Sequence, residues 1–280
     1  VPEGFFPLNT GPKSGILMPT YGEEATRGFY IRGLGYYFTL SEHMDLALTG
    51  GIYTLGSWEA NVRSRYIKRY KYSGNLNFDF SSVKSGDKGD ADYIKQNTFK
   101  LQWTHSQDAK ANPGSTFSAS VNLASSGYSK YSANTLNDML STQTNSSISY
   151  SKNWAGTPFS LSMNMAVSQN SQTKAISVTL PTVSFNVSRF YPFKRAVKIG
   201  KDRWYEKISM SYSGKLTNSV SATESDIFSR QTLDNMRNGV QHTIPVQASF
   251  NVFNYINITP SFNYNERWYF KKVDRQWNPT

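Results

Sequence analysis

Residues 44–52 read MDLALTGGI: Met44, Leu46, Leu48, Gly50 and Ile52 fall on even positions, with Asp45, Ala47, Thr49 and Gly51 between them. Successive side chains of a strand point to opposite faces, so this period of two makes one side oily and leaves the other to water. The split recurs further along. Tyr72, Gly74, Leu76, Phe78 and Phe80 alternate with Ser73, Asn75, Asn77, Asp79 and Ser81, and Phe159, Leu161, Met163, Met165 and Val167 alternate with Ser160, Ser162, Asn164 and Ser168.

Other runs keep the rule: Phe99, Leu101 and Trp103; Phe117, Ala119, Val121 and Leu123; Ile148 and Tyr150; Ile208, Met210 and Tyr212; Ile244, Val246, Ala248 and Phe250; Ile256, Ile258, Pro260 and Phe262. They amount to about twelve strands. Between Ala175 and Arg189 the apolar phase slips, from Ile176, Val178 and Leu180 to Val183, Phe185 and Val187, which predicts a β-bulge near Pro181. The connections SEHM, LGS, SGDKGDAD, DAKANPGS, WAGTP and ATESDIFSRQTLDNMRNG carry turn chemistry. Residues 131–140 admit a short helical turn.

A soluble sandwich buries its greasy faces against each other, whereas a membrane barrel turns one greasy face to lipid. Several runs continue for about ten residues, the length of a tilted bilayer-spanning strand. Their second face carries Ser, Asn and Thr with occasional Arg or Lys, as a water-filled lumen requires. Aromatic residues gather near strand ends at Trp58, Tyr70, Tyr72, Trp154, Tyr191, Trp204, Tyr205, Trp268 and Tyr269, like interfacial girdles. The fold class read from this is all-β: part of an antiparallel transmembrane β-barrel.

Composition agrees. Aromatic residues make up 15% of the 280 while the mean hydropathy is −0.53. No run of about 18 apolar residues offers a transmembrane helix, and no charged-then-apolar leader opens the chain, so it is expected to begin after processing or as a fragment. The absence of cysteine removes disulfides and thiol catalysis. Lys plus Arg exceed Asp plus Glu by 30 to 19, which suits an anionic partner. The basic residues are scattered and form no nucleic-acid recognition module, which argues against that partner.

Before the first long strand the chain reads Phe6, Pro7, Leu8, then Lys13, Ser14, Gly15, Ile16, Leu17, Pro19 and Gly22; later come Tyr36, Tyr37 and Phe38, then Asp45 and Leu46, then Tyr70, Lys71, Tyr72, Ser73 and Gly74. From Phe6 to about Phe80 this order resembles the LptD family of LPS-assembly proteins. The resemblance implies an outer-membrane lipopolysaccharide translocon of a Gram-negative bacterium, in which a periplasmic jellyroll hands the chain to a large barrel. Residues 1–25 are then the junction and residues 26–280 the N-terminal barrel strands. It also implies a plug lipoprotein like LptE in the lumen and a periplasmic bridge like LptA, with no cofactor. Family members often carry a proline before the tyrosine pair, where this chain has Gly35, and the family's disulfides have no counterpart here.

An amphiphile leaving a closed barrel sideways needs a seam that opens, and prolines and glycines weaken strand pairing. The expected gate and hinge residues are Pro7, Pro12, Pro19, Gly28, Gly33 and Gly35, with residues 28–40 as the first strand and one lip. Glycines in a barrel strand equally relieve crowding at a bend. Arg63, Arg65 and Lys100 are the expected luminal contacts for phosphorylated sugars, beside the plainer reading of solvated lumen charge. A generic porin or nutrient-uptake barrel is the alternative function, and a soluble β-sandwich adhesin a third. Catalysis is not expected: His43, His105 and His242 are the only histidines, no nucleophile signature accompanies them, and they form no metal site.

Overall fold

The computed structural model describes residues 13–271 except 87, 88, 90–92, 134, 135, 198, 199, 201, 228 and 254. Phe6, Pro7, Leu8 and Pro12 of the expected junction lie outside the described residues. The strands are β1 (Gly15–Leu17), β2 (Thr20–Glu24), β3 (Gly28–Ser41), β4 (Met44–Tyr53), β5 (Trp58–Lys68), β6 (Tyr72–Ser85), β7 (Ile94–Gln107) and β8 (Ser115–Ala124). After helices α1 (Tyr128–Tyr131) and α2 (Leu136–Leu140) come β9 (Gln143–Asn153), β10 (Phe159–Asn170) and β11 (Ala175–Phe190). A 3-10 turn (Trp204–Lys207) leads into β12 (Ile208–Thr223), followed by α3 (Arg230–Asp234), β13 (Arg237–Ala248), β14 (Phe250–Val252), β15 (Ile256–Ile258) and β16 (Ser261–Tyr269). One antiparallel sheet takes the strands in the order β1, β3 to β13, then β16, with β2 also on β3; β14 and β15 form a separate hairpin. Among the described residues twelve strands run nine residues or longer, matching the count from the sequence. No helix among them is long and apolar enough to cross a membrane, which says nothing of strands.

The chain divides into two compact units: residues 1–111, 119–146 and 169–174, and residues 112–118, 147–168 and 175–280. In the first, residues paired across neighbouring strands share a face. One rung runs Tyr36, Leu48, Val62, Phe78, Leu101; the next along the strands runs Tyr37, Ala47, Arg63, Asn77, Gln102. The alternation read from residues 44–52 therefore persists across five strands. Its oily side stays open: Ile52 is 66% exposed and Phe29 62%, while Ser81, Thr98 and Lys100 on the other side are buried. Each large apolar side chain left in water forgoes roughly 1.5–3 kcal/mol. A sheet that exposes Phe29, Ile31, Leu34, Leu48, Ile52 and Trp58 together is built for a solvent of acyl chains.

β3 keeps its oily side outward through a slip of phase. Arg32 pairs with Gly51 and Leu34 with Gly50, so Gly33 is an extra residue in the ladder, at φ 77°. Glycine meets a positive φ without a Cβ penalty. Phe29 and Ile31 before it and Leu34, Tyr36 and Leu40 after it are all exposed. Residues 131–140 fall partly in α1 and α2, which supply the short helical structure the sequence admitted.

In the second unit the same logic gives an apolar rung of Val183, Leu216, Val240 and Trp268 beside a polar one of Ser184, Lys215, Gln241 and Arg267. The β11 register with β12 shifts between Thr179 and Val183, bracketing Pro181, where the slipped phase predicts a bulge. Proline has no N–H to give the ladder, so the irregularity falls where it removes least.

Candidate functional site

Two features of the first unit bear on function: the outer edge of β3 and the polar face. The sequence reading starts the sheet at residues 28–40, but a broken strand lies outside β3. β2 pairs with β3 from Thr20 opposite Arg32 to Glu24 opposite Gly28, and β1 pairs from Gly15 opposite Tyr37 to Leu17 opposite Gly35. Residues 15–24 of the expected junction thus belong to the sheet. Runs of three and five residues on either side of a proline are too short to show a period, which is why they escaped the sequence.

In this register Pro19 falls at the rung of Gly33. The residue without an N–H and the bulged glycine meet in the gap between the two paired pieces. Gly35 lies beside the gap and permits close approach: a Cβ there would run into the Leu48 carbonyl oxygen. Gly28 ends the turn from β2 at φ 78°, where Arg27 grips Glu24 at 2.6 Å and stacks 4.3 Å over the Tyr53 ring. Of the expected gate residues, then, Pro19 and Gly33 are brought together, Gly35 adjoins them, and Gly28 stands apart at the strand's start.

All three expected basic residues point to the polar face. Arg63 lies between Ala47 and Asn77, exposed and open. Arg65 is paired with Asp45 at 3.2 Å yet 76% exposed, so solvent screens that pair and leaves the guanidinium reachable. Lys100 differs: it is 7% exposed and bonded to Asp138 of α2 at 2.6 Å. Ser132, after α1, and Asp138 of α2 fold onto the polar side of β6 and β7. Ser132 Oγ lies 2.6 Å from Thr98 Oγ1 and accepts from Ser81 Oγ at 3.0 Å, and the buried Tyr128 ring lies 5.3 Å from Lys100 Nζ. Burial pushes the Tyr128 phenol up from its ordinary value. No sequence pattern announces an ion pair between residues 38 apart. Arg32 is a further basic residue of this face, 3.8 Å from Glu24; its signal is an arginine in the otherwise apolar run FYIRG.

The outward face carries two tyrosine and histidine pairs. Tyr66 OH lies 2.9 Å from His105 Nδ1 and accepts from Trp103 Nε1 at 2.9 Å, and its ring covers Gly74. Tyr212 OH lies 2.7 Å from His242 Nδ1 above Gly214. Each ring fills the space a glycine leaves, and its hydroxyl finds a partner among aromatic neighbours. Among the described residues no group of three His, Asp or Glu side chains could hold a metal ion.

Comparison with known proteins joins these observations to a family. A model of the LptD protein family matches residues 1–280. The LPS-assembly protein LptD of Burkholderia ambifaria is 28% identical over 103 residues, 37% of this chain and 12% of that protein. That of Paraburkholderia xenovorans is 29% identical over 140 residues, 50% of this chain and 16% of that protein. The matched stretches thus span less than a fifth of these relatives. With its family model matched end to end, and with a sheet oily on one face and wet on the other, the chain belongs to the LptD protein family.

Proposed function

We propose that this chain forms part of an outer-membrane translocon of a Gram-negative bacterium that inserts lipopolysaccharide into the outer leaflet through a lateral gate. The observation that carries the reading is the edge of the sheet, where Pro19 meets the Gly33 bulge and interrupts the ladder. The sugars travel along the polar face while the acyl chains leave through the seam, which a closed ladder of hydrogen bonds would forbid. The lip is residues 15–24 with β3 behind it, and Pro19, Gly33 and Gly35 are the residues that loosen it. A passive porin has no use for a broken edge strand.

Arg63 and Arg65 contact phosphorylated sugars, guanidinium to phosphate being a charge-assisted and often bidentate pairing. Lys100 acts indirectly, by holding α2 against the wall through Asp138. The periplasmic bridge like LptA delivers the lipid, and a plug lipoprotein like LptE occupies the rest of the lumen. The test uses the full-length protein in cells, with a photo-crosslinker at Gln102, on the polar rung of Arg63. Lipopolysaccharide is captured there, and Arg63→Gln with Arg65→Gln lowers the yield at least about tenfold, the worth of a single charge-assisted contact. Unchanged capture in the double variant would refute the guidance role, and absence of lipopolysaccharide from Gln102 in the parent would refute the translocon reading.

A further inference from the structure

The connection from β11 to β12, residues 191–207, is longer than a turn needs, and within it residues 191–197 and 202–207 are tied together by a buried carboxylate. The Glu206 carboxylate is buried and accepts from Arg195 Nε at 2.6 Å, Arg195 Nη2 at 3.0 Å and the Arg203 backbone N–H at 2.6 Å. Arg195's side-chain hydrogen bonds above all, then the Arg203 N–H, lower its pKa from 4.5 to about 2. A carboxylate that is the stronger acid when folded favours the folded clasp above its ordinary pKa, and that contribution is lost only as pH falls through about 2. The clasp therefore holds at neutral pH.

Glu206 and Arg195 satisfy each other, and several of their described neighbours stand open. Tyr191, Phe193 (54% exposed), Val197 and Trp204 (67% exposed) present apolar surface, and Lys194, Arg203 and Lys207 are exposed among them. Arg203 Nη1 donates to Tyr205 OH at 3.1 Å, and the Tyr205 ring meets Trp204 edge-on at 5.9 Å. The sequence of this connection holds six Lys or Arg against two Asp or Glu. A loop meant for bulk water gains nothing by fixing Phe193 and Trp204 outward. One meant for a protein core would not surround them with ammonium and guanidinium groups.

We infer that residues 191–197 and 202–207 form a preformed clamp on the membrane surface, whose aromatic side chains enter the headgroup layer while Lys194, Arg203 and Lys207 hold anionic phospholipid headgroups. The clamp rests on the membrane-barrel reading of the sheet. It lies where β11 ends and β12 begins, at the height where a spanning strand meets the headgroups. Trp and Tyr favour that layer because one end of each ring is apolar and the other wet. Basic side chains near such a surface are drawn to anionic lipid, and salt weakens the pull. The Arg195 clasp means little ordering entropy is lost on contact.

The test places the full-length protein in nanodiscs of equal parts phosphatidylglycerol and phosphatidylcholine. A benzophenone crosslinker stands at Phe193 or, as reference, at the outward-facing Leu48. The Phe193 adducts are enriched in phosphatidylglycerol at least about fivefold over the Leu48 adducts, as basic residues at an anionic surface demand. Lys194→Gln, Arg203→Gln and Lys207→Gln together return Phe193 to the bulk ratio and leave the Leu48 adducts unchanged, which separates loss of charge from loss of fold. Equal proportions at Phe193 in the parent would overturn the clamp, as would protein adducts at Phe193 while Leu48 still captures lipid. Absence of lipid at both positions would overturn the membrane reading and the clamp with it.

Discussion

Leu48→Arg destabilises the inserted protein by about 2–4 kcal/mol, while Thr49→Arg, one residue along, changes it by about 0.5 kcal/mol or less. Leu48 lies mid-strand on the rung of Tyr36, Val62, Phe78 and Leu101, so an arginine there faces hydrocarbon. Thr49 lies between Gly35 and Asn61 on the polar face, where a guanidinium finds water. Unfolding in lipid bilayers measures both as shifts of the denaturant midpoint at unchanged slope. A soluble sandwich would also resent an arginine at Leu48, but by overpacking and an unpaired buried charge, and it would unfold reversibly without any bilayer. Equal costs at the two positions would contradict the assignment of faces.

Joining the edge strand to the closing strand of the full-length protein stops lipopolysaccharide export, and reduction restores it. The chain has no cysteine of its own, so a cysteine in place of Thr20 and one in the closing strand form a defined pair. Thr20 resumes pairing with β3 directly after the proline gap, where movement of the edge begins. The same linkage between Thr49 and Asn61, opposite each other in β4 and β5, leaves export intact because that ladder is continuous. Export that survives a complete linkage at Thr20 removes the gate from this edge.

What the sequence disclosed follows from what leaves a periodic trace. Strands such as β4, β6 and β10 run ten residues or more with one face in lipid, so every second residue reports its environment. The bulge at Pro181 was readable for the same reason, since a one-residue slip flips the apolar phase. Gly33 produces a similar slip within β3, but beside Gly35 it read as general loosening, and only the register shows it opposite Pro19. The ion pair of Lys100 with Asp138 and the clasp of Arg195 on Glu206 join loop to wall or loop to itself. Such contacts depend on where the chain returns in space, and nothing in the spacing of residues fixes that. Arg63 and Arg65 were placed on the wet face because parity alone decides it; whether a partner covers them is a tertiary fact.

The central claim is that the even positions of residues 44–52 look into acyl chains. Nitroxide labels placed singly along this stretch of the full-length protein in bilayers measure it directly. Labels at 46, 48, 50 and 52 are expected to collide with oxygen, which concentrates in hydrocarbon, and those at 45, 47, 49 and 51 with a water-soluble nickel complex, in a period of two. Even positions shielded from both reagents would mean a dry interface between stacked sheets, and would contradict the account.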